Sequence, residues 1–195
     1  MKENSSSFFV ETVPHLNLVD MAVVCREQRT IGLCFGKPGV GKTSSAKMFC
    51  KWAIVEANFA AKNGQVVEPE AMLECDTLYY LPSITVSAAR LRSELTVLRN
   101  RFEDAISKSV MWQRPDDWAT SIQEQHVKLV IVDEAYRLKF QALEELRDLQ
   151  ERWNVGVVLI GDPGFERSLG RMWHFNARVT YAEELKPLTD AEVIV

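Results

Sequence analysis

The stretch Gly36-Lys37-Pro38-Gly39-Val40-Gly41-Lys42-Thr43 constrains this chain more than any other. It fits the pattern G-x-x-x-x-G-K-[ST], and its flanks make the fit informative. Before it, "TIGLCF" (Thr30 to Phe35) is a short apolar run that suits a buried strand. After it, the spacing predicts a long helix from about Lys42 to Lys62, with Ala46, Phe49, Ala53, Ala57 and Ala60 on one face and Asn63-Gly64 as the stop. A strand, a glycine-rich turn and a helix N-terminus in that order build an anion site. Gly36, Gly39 and Gly41 let the backbone turn so that successive N–H groups face one phosphate chain, and the helix adds the positive end of its dipole. Lys42 would neutralise β- and γ-phosphate oxygens, and the Thr43 hydroxyl would ligate Mg²⁺. Lys37, Pro38, Val40 and Ser44 complete the expected nucleotide-binding set, so ATP and Mg²⁺ are the expected cofactors.

The rest of the chain alternates strand and helix patterns. After Pro14, Leu16, Val19, Val23 and Val24 fall near helical spacing. "TLYYLPSITV" reads as a strand ended or bent at Pro82. From about Val86 to Ser109, Leu91, Leu95, Leu98, Phe102 and Ile106 recur at helical intervals. "WQRPDDW" reads as a loop. "VKLVIVDEA" and "VGVVLIGDPG" are continuous apolar runs, separated by a helix, "FQALEELRDLQERW", with Leu143, Leu146 and Leu149 inward. "ARVTYAEEL" supplies a last strand. Strands that are apolar throughout, alternating with helices, predict an α/β fold with a parallel sheet covered on both faces, a three-layer P-loop NTPase. The length fits one substantial domain, assigned to 13–195, behind a frayed arm over 1–12.

Three further positions carry chemistry. Asp133, at the end of "LVIVD", suits the Mg²⁺ shell, and Glu134 beside it can accept a proton from attacking water. The competing reading makes this pair the N-cap of the helix that follows. Asp162 in "LIGDPG" either senses the γ-phosphate or starts the Asp-Pro-Gly turn, since an acid beside a phosphate is unfavourable unless Mg²⁺ or an Arg intervenes. Arg178 lies before the last strand, where it can reach a neighbouring subunit's γ-phosphate in trans, with Arg171 as the fallback finger. The alternative is an ordinary surface arginine.

With these elements in order, the chain resembles the AAA+ ATPases. The spacing of "GKPGVGKT", "LVIVDEA", "VVLIGDPGFERSL" and "ARVTYAEELKPLTDAE" is most similar to the transposition-regulator branch, the MuB, TniB and TnsC-type proteins. The resemblance implies ATP-driven self-assembly into rings or filaments on duplex DNA, recruitment of a transposase, and disassembly on hydrolysis. It also implies that the segment between the second strand and "LVIVDEA" contacts DNA, which points to Thr85, Arg90 and Arg92. A solvated helix face is the alternative for that segment. Tyr136 stands where the family usually has Asp or His. The chain ends at "PLTDAEVIV", where such a protein normally begins its helical lid, so a largely absent lid is expected. Replication-initiator-like or helicase-loader ATPases, and a signalling switch that does not touch DNA, share the same core.

The formal net charge of −4 argues against a generally basic nucleic-acid coat and leaves room for a local basic face. Cys25, Cys34, Cys50 and Cys75 form no CxxC pair and are expected as buried reduced thiols. With no sustained apolar run, a cytoplasmic protein without a membrane partner is expected.

Overall fold

Five strands form one sheet, in the order β2-β3-β4-β1-β5, and every pairing is parallel. The structure, a computed structural model, describes residues 9–62, 64–113 and 125–188. The strands are β1 (Ile31–Gly36), β2 (Thr77–Tyr80), β3 (Leu129–Val132), β4 (Gly156–Gly161) and β5 (Val179–Leu185). The helices are α1 (Val13–Gln28), α2 (Lys42–Phe49), α3 (Trp52–Ala60), α4 (Pro69–Leu73), α5 (Ala88–Gln113), α6 (Phe140–Trp153), α7 (Phe165–Gly170) and α8 (Trp173–Asn176). Every residue of β3 and β4 is buried, as apolar strands covered on both faces must be. β5 is the exception. It is an edge strand, and most of its residues reach solvent, which is why polar Thr180, Glu183 and Glu184 are tolerated there.

Helices flank the sheet in a three-layer α/β arrangement. α1 lies across β1, β4 and β5 and also meets α2, while α5 packs on α6, α4 and β2. The inward residues read for α5 and α6 are buried as expected, Leu98 only partly. α1 exists as expected but turns another face inward. Leu18, Met21, Ala22 and Cys25 are buried, whereas Leu16 is exposed and Val19, Val23 and Val24 are only half-buried. Its pattern is apolar on several sides, so periodicity alone does not choose the face.

The long helix expected over 42–62 is two helices. Cys50 N–H donates to Ala46 O and Lys51 N–H to Met48 O, and Lys51 then takes a left-handed conformation (φ 48°). The break reorients the second half so that Trp52 and Val55, rather than Ala53 and Ala60, are buried. The Trp52 ring packs 5.6 Å from that of Tyr79 in β2. Burying one indole outweighs an alanine-rich stripe that would otherwise have continued. All four cysteines are free and buried. Of the arm assigned to 1–12, Phe9 to Thr12 are placed: Phe9 meets the His15 ring edge-on at 4.7 Å, and the Thr12 hydroxyl accepts from His15 N–H at the start of α1. Residues 1–8, Asn63, most of the "WQRPDDW" loop and the last seven residues of "PLTDAEVIV" lie outside the described residues.

Candidate active site

The strand order dictates where a ligand can sit. The chain leaves β1 toward β2, at the far edge of the sheet, and returns by way of β3 and β4 to β1's side. In open parallel sheets such a reversal leaves a crevice at the carboxyl ends of the strands. The sequence-derived residues converge there: the glycine-rich loop follows β1, Asp133 and Glu134 follow β3, and Asp162 follows β4. A cleft of about 330 Å³ is lined by Pro38, Gly39, Gly41, Lys42, Thr43, Ser44, Glu134 and Asp162.

Gly39 and Gly41 adopt φ of 86° and 90°, which other residues rarely tolerate; a Cβ at Gly39 would meet open space and one at Gly41 only the Ser45 hydroxyl at 3.9 Å. Gly36 has a different reason to be glycine. It is a strand residue, and a Cβ there would overlap the carbonyl oxygen of Leu185 on β5 and lie 3.3 Å from its carbon. The expectation that Gly36 serves the turn is therefore corrected: it serves strand packing. From Lys42 the eight-residue α2 begins with Gly41 at its cap and no acidic residue in its first turn, so its N–H groups and dipole are available to an anion.

The Lys42 ammonium is nearly buried. It donates to Gly36 O (2.5 Å) and Lys37 O (3.1 Å) and pairs with Asp162 Oδ1 at 3.2 Å. That pair answers the electrostatic objection to Asp162, which faces a lysine rather than standing alone beside the phosphate site. Asp162 also serves the turn, its carbonyl accepting from Phe165 N–H. Both readings of Asp162 thus have a geometric basis.

Asp133 is 2% exposed, and a carboxylate so buried requires donors. It receives Thr43 Oγ1–H (2.6 Å) and the Tyr79 phenol (2.7 Å) on Oδ2, and Glu134 N–H (2.9 Å) on Oδ1. With its proton committed to Asp133, the Thr43 hydroxyl keeps its lone pairs for a cation. Hydroxyl and carboxylate oxygens are the hard donors Mg²⁺ takes, so Thr43 and Asp133 fit that ion. The reading of Asp133 and Glu134 as the N-cap of the following α-helix fails, because α6 begins at Phe140 with Lys139 at its cap; Glu134 instead precedes a single 3-10 turn, Ala135–Arg137, which its side chain does not cap. Burial and the neighbouring Asp133 carboxylate push the Tyr79 phenol far up, which keeps it a donor.

Glu134 takes a left-handed conformation (φ 53°), rare for a residue with a Cβ and a mark of functional positions. Its Oε2 accepts from the Tyr136 phenol and pairs with Arg137 Nη2 at 3.1 Å, while Arg137 Nη1 donates to Pro82 O at 3.0 Å. Sequence reasoning treated Tyr136 as neutral and did not reach Arg137 or Tyr79. No local pattern marks Tyr79, whose role exists only because β2 lies beside β3. It also missed a second cleft, about 450 Å³, where Phe9, Val10, Thr12, Pro187 and Leu188 face the glycine-rich loop from its other side.

Arg178 and Arg171 are not in these clefts. Arg178 precedes β5, whose first residue pairs with Ile31 at the start of β1. It therefore lies at the opposite end of the strands from the loop, on the order of 20 Å away for a six-residue strand. It is exposed and pairs with Glu151 of α6 at 2.7 Å. Arg171, at the end of α7, is also exposed. Arg90 and Arg92 are exposed too, but each is engaged: Arg90 with Glu94 (2.6 Å), and Arg92 with Glu145 through two bonds of 2.6 and 2.5 Å. Thr85 instead lines a third cleft, about 520 Å³, with Ser87, Arg137, Lys139 and Gln141.

A family profile described as "AAA domain" matches residues 25–169, most of the chain and all of the first cleft's loop and carboxylates. The chain belongs to the AAA domain family. It is an AAA-type P-loop protein of the ATP-binding class. A Staphylococcus aureus relative called "Potential ATP-binding protein" is 26% identical over 189 residues, covering 94% of this chain and 69% of the relative. Among solved structures, the Aeropyrum pernix ORC1 protein in complex with DNA has a TM-score of 0.52 at 15% identity, covering 94% of this chain. This chain spans 47% of that protein, and at that identity the likeness concerns the fold alone. Among the described residues no helix is long and apolar enough to cross a membrane.

Proposed function

We propose that this AAA-family protein is a Mg²⁺-dependent ATPase that assembles with ATP on duplex DNA, recruits a transposase there, and disassembles on hydrolysis. The observation that carries the ATPase reading is the convergence of Lys42 and Thr43 from the end of β1 with Asp133 and Glu134 from the end of β3. Lys42 and Arg137 do not fully offset the carboxylates of Asp133, Glu134 and Asp162, so a triphosphate entering this set needs a divalent cation to balance it. Mg²⁺ held by Thr43 and Asp133 would supply that charge. Lys42 leaves its carbonyl partners for phosphate oxygens, and the α2 N-terminus receives the same phosphates. Glu134 takes a proton from the attacking water once its bonds to Tyr136 and Arg137 yield. The adenosine portion fits the second cleft, against Phe9, Val10, Pro187 and Leu188.

The placement of Arg178 at the other end of the strands supports a finger acting on the next copy, because it is too distant to serve its own cleft. An interface pairing one protomer's loop with its neighbour's Arg178 is heterologous and generates rings or helical filaments. For DNA, Thr85 keeps its proposed role, now with Ser87, Lys139 and Arg137 in the same cleft, whereas Arg90 and Arg92 would have to exchange carboxylate partners for phosphates. The transposition assignment rests on the sequence resemblance set out above.

The test is ATP turnover of the parent, Glu134→Gln and Lys139→Glu, with and without duplex DNA, alongside particle size by mass photometry. Glu134→Gln is expected to bind ATP, lose turnover by about 10²–10⁴-fold and accumulate as assemblies. Lys139→Glu is expected to keep basal turnover and weaken DNA binding, with a shallower salt dependence. Turnover that survives Glu134→Gln sinks the catalytic assignment. A parent that stays monomeric with ATP and DNA sinks the assembly.

A further inference from the structure

Asp133 is held from a direction that no nucleotide-binding motif accounts for. Its Oδ2 takes two donors: Thr43 from the glycine-rich loop and Tyr79 from β2. Tyr79 sits two residues before Leu81, on the edge strand beside β3, where it pairs with Ile131. Because side chains alternate along a strand, Tyr79 and Tyr80 point to opposite faces of the sheet. Tyr79 is packed by Trp52 at 5.6 Å and has the Lys47 ammonium 5.2 Å from its ring centre, both from the α2–α3 side. Tyr80 reaches α5 instead and donates to Glu94 at 2.6 Å. One of two adjacent buried tyrosines is thus tied to the site and the other to the scaffold.

We propose that Tyr79 is a positioning residue for the divalent cation: its phenol O–H fixes the Asp133 carboxylate so that Thr43 presents its lone pairs to Mg²⁺. This rests on the Mg²⁺–nucleotide reading above. With Oδ1 tied to Glu134 N–H and Oδ2 shared by Thr43 and Tyr79, rotation of the carboxylate in either sense breaks a bond. Without the phenol, Oδ2 keeps only the Thr43 hydroxyl, itself one of the cation's two protein groups. The carboxylate can then follow Thr43 rather than orient it, and the cation's two protein groups lose their fixed spacing. The ring itself, packed at a tilt against Trp52 with the Lys47 ammonium over it, keeps these contacts when it loses its oxygen, so the change is confined to one hydrogen bond.

The experiment is equilibrium binding of a fluorescent ATP analogue by the full chain, titrated with Mg²⁺ and repeated in EDTA. It compares the parent with Tyr79→Phe and Tyr80→Phe. Losing a hydrogen bond to a charged group corresponds to about a tenfold rise in the Mg²⁺ needed for half-maximal binding by Tyr79→Phe. Binding in EDTA is expected to stay at the parent level, and Tyr80→Phe is expected to match the parent in both conditions. The proposal is overturned if Tyr79→Phe keeps the parent's Mg²⁺ dependence, or if it loses binding equally with and without the cation. An equal shift in Tyr80→Phe would also overturn it, since that makes the effect a general loosening of β2. A parent that binds no nucleotide in either condition removes the nucleotide reading itself, and this inference with it.

Discussion

Gly36→Ala separates a glycine needed for close strand packing from one needed for a turn. The added Cβ would overlap the Leu185 carbonyl oxygen and come within 3.3 and 3.4 Å of that residue's carbonyl carbon and Cβ. The obstacle is backbone, which cannot rotate away, so β5 must retreat by about 1 Å to restore ordinary contact distances. Overpacking of this kind costs about 1–3 kcal/mol, and loosening the end of the β1–β5 ladder adds about 1 kcal/mol for a lost hydrogen bond. The total, about 2–4 kcal/mol, is a large part of the ~5–15 kcal/mol that holds a typical domain together. With a urea slope of about 2 kcal/mol/M, the unfolding midpoint is expected to fall by about 1–2 M. Gly170→Ala is the matched comparison. Its Cβ would meet nothing within 4 Å, so it should be neutral or stabilise by about 0.4–1 kcal/mol. A Gly36→Ala midpoint within experimental error of the parent would refute the packing account of this residue.

Two other outcomes follow from the same geometry. Lys42→Ala and Arg178→Ala are each expected to abolish turnover alone, a finger contributing about 10³–10⁵-fold, yet mixing the two proteins should restore part of it, since one supplies the loop and the other the arginine. No recovery on mixing, or full turnover by Arg178→Ala alone, would exclude the trans assignment. The cysteines give a pH-based check. Burial pushes Cys25 and Cys75 up to about 11 and Cys34 and Cys50 up to about 12. At pH 8 all four are therefore protonated and shielded, and a thiol reagent should titrate them only after urea unfolding. Prompt reaction of any one in the folded protein would contradict its burial.

How far the sequence reached depended on the range of each interaction. The loop 36–43 was legible because its chemistry is local: glycines, a lysine and a threonine at fixed offsets between a strand and a helix. The carboxylates at 133 and 134 were legible because an apolar run ending in two acids has few buried uses. The broken helix at Lys51 was not, since the reason for the break is an indole packed against a ring 27 residues further on. Tyr136 and Arg137 lay in plain view beside Glu134, but only the left-handed turn at Glu134 brings both side chains back onto its carboxylate. The arginines read as DNA contacts illustrate the converse. Their charge was visible, as was Glu94 four residues after Arg90, but the engagement of Arg92 with Glu145 was not, because Glu145 belongs to a helix that only the packing of α5 on α6 brings near.

The sequence alone therefore determined the layered α/β class, the phosphate-binding loop and the acidic strand end, all consequences of short-range backbone preference and apolar patterning. The tertiary structure decided which groups share a cleft. It placed Asp162 on Lys42 and Tyr79 on Asp133, because strand order is set by burial of the whole sheet rather than by any local signal, and the parallel pairing of β5 with β1 put Arg178 at the opposite end of the strands from the loop. What had looked like a list of candidates along the chain became a cleft with Lys42, Thr43, Asp133 and Glu134 around it. Arg178, proposed to act on a neighbouring copy, lies at the other end of the strands and pairs with Glu151.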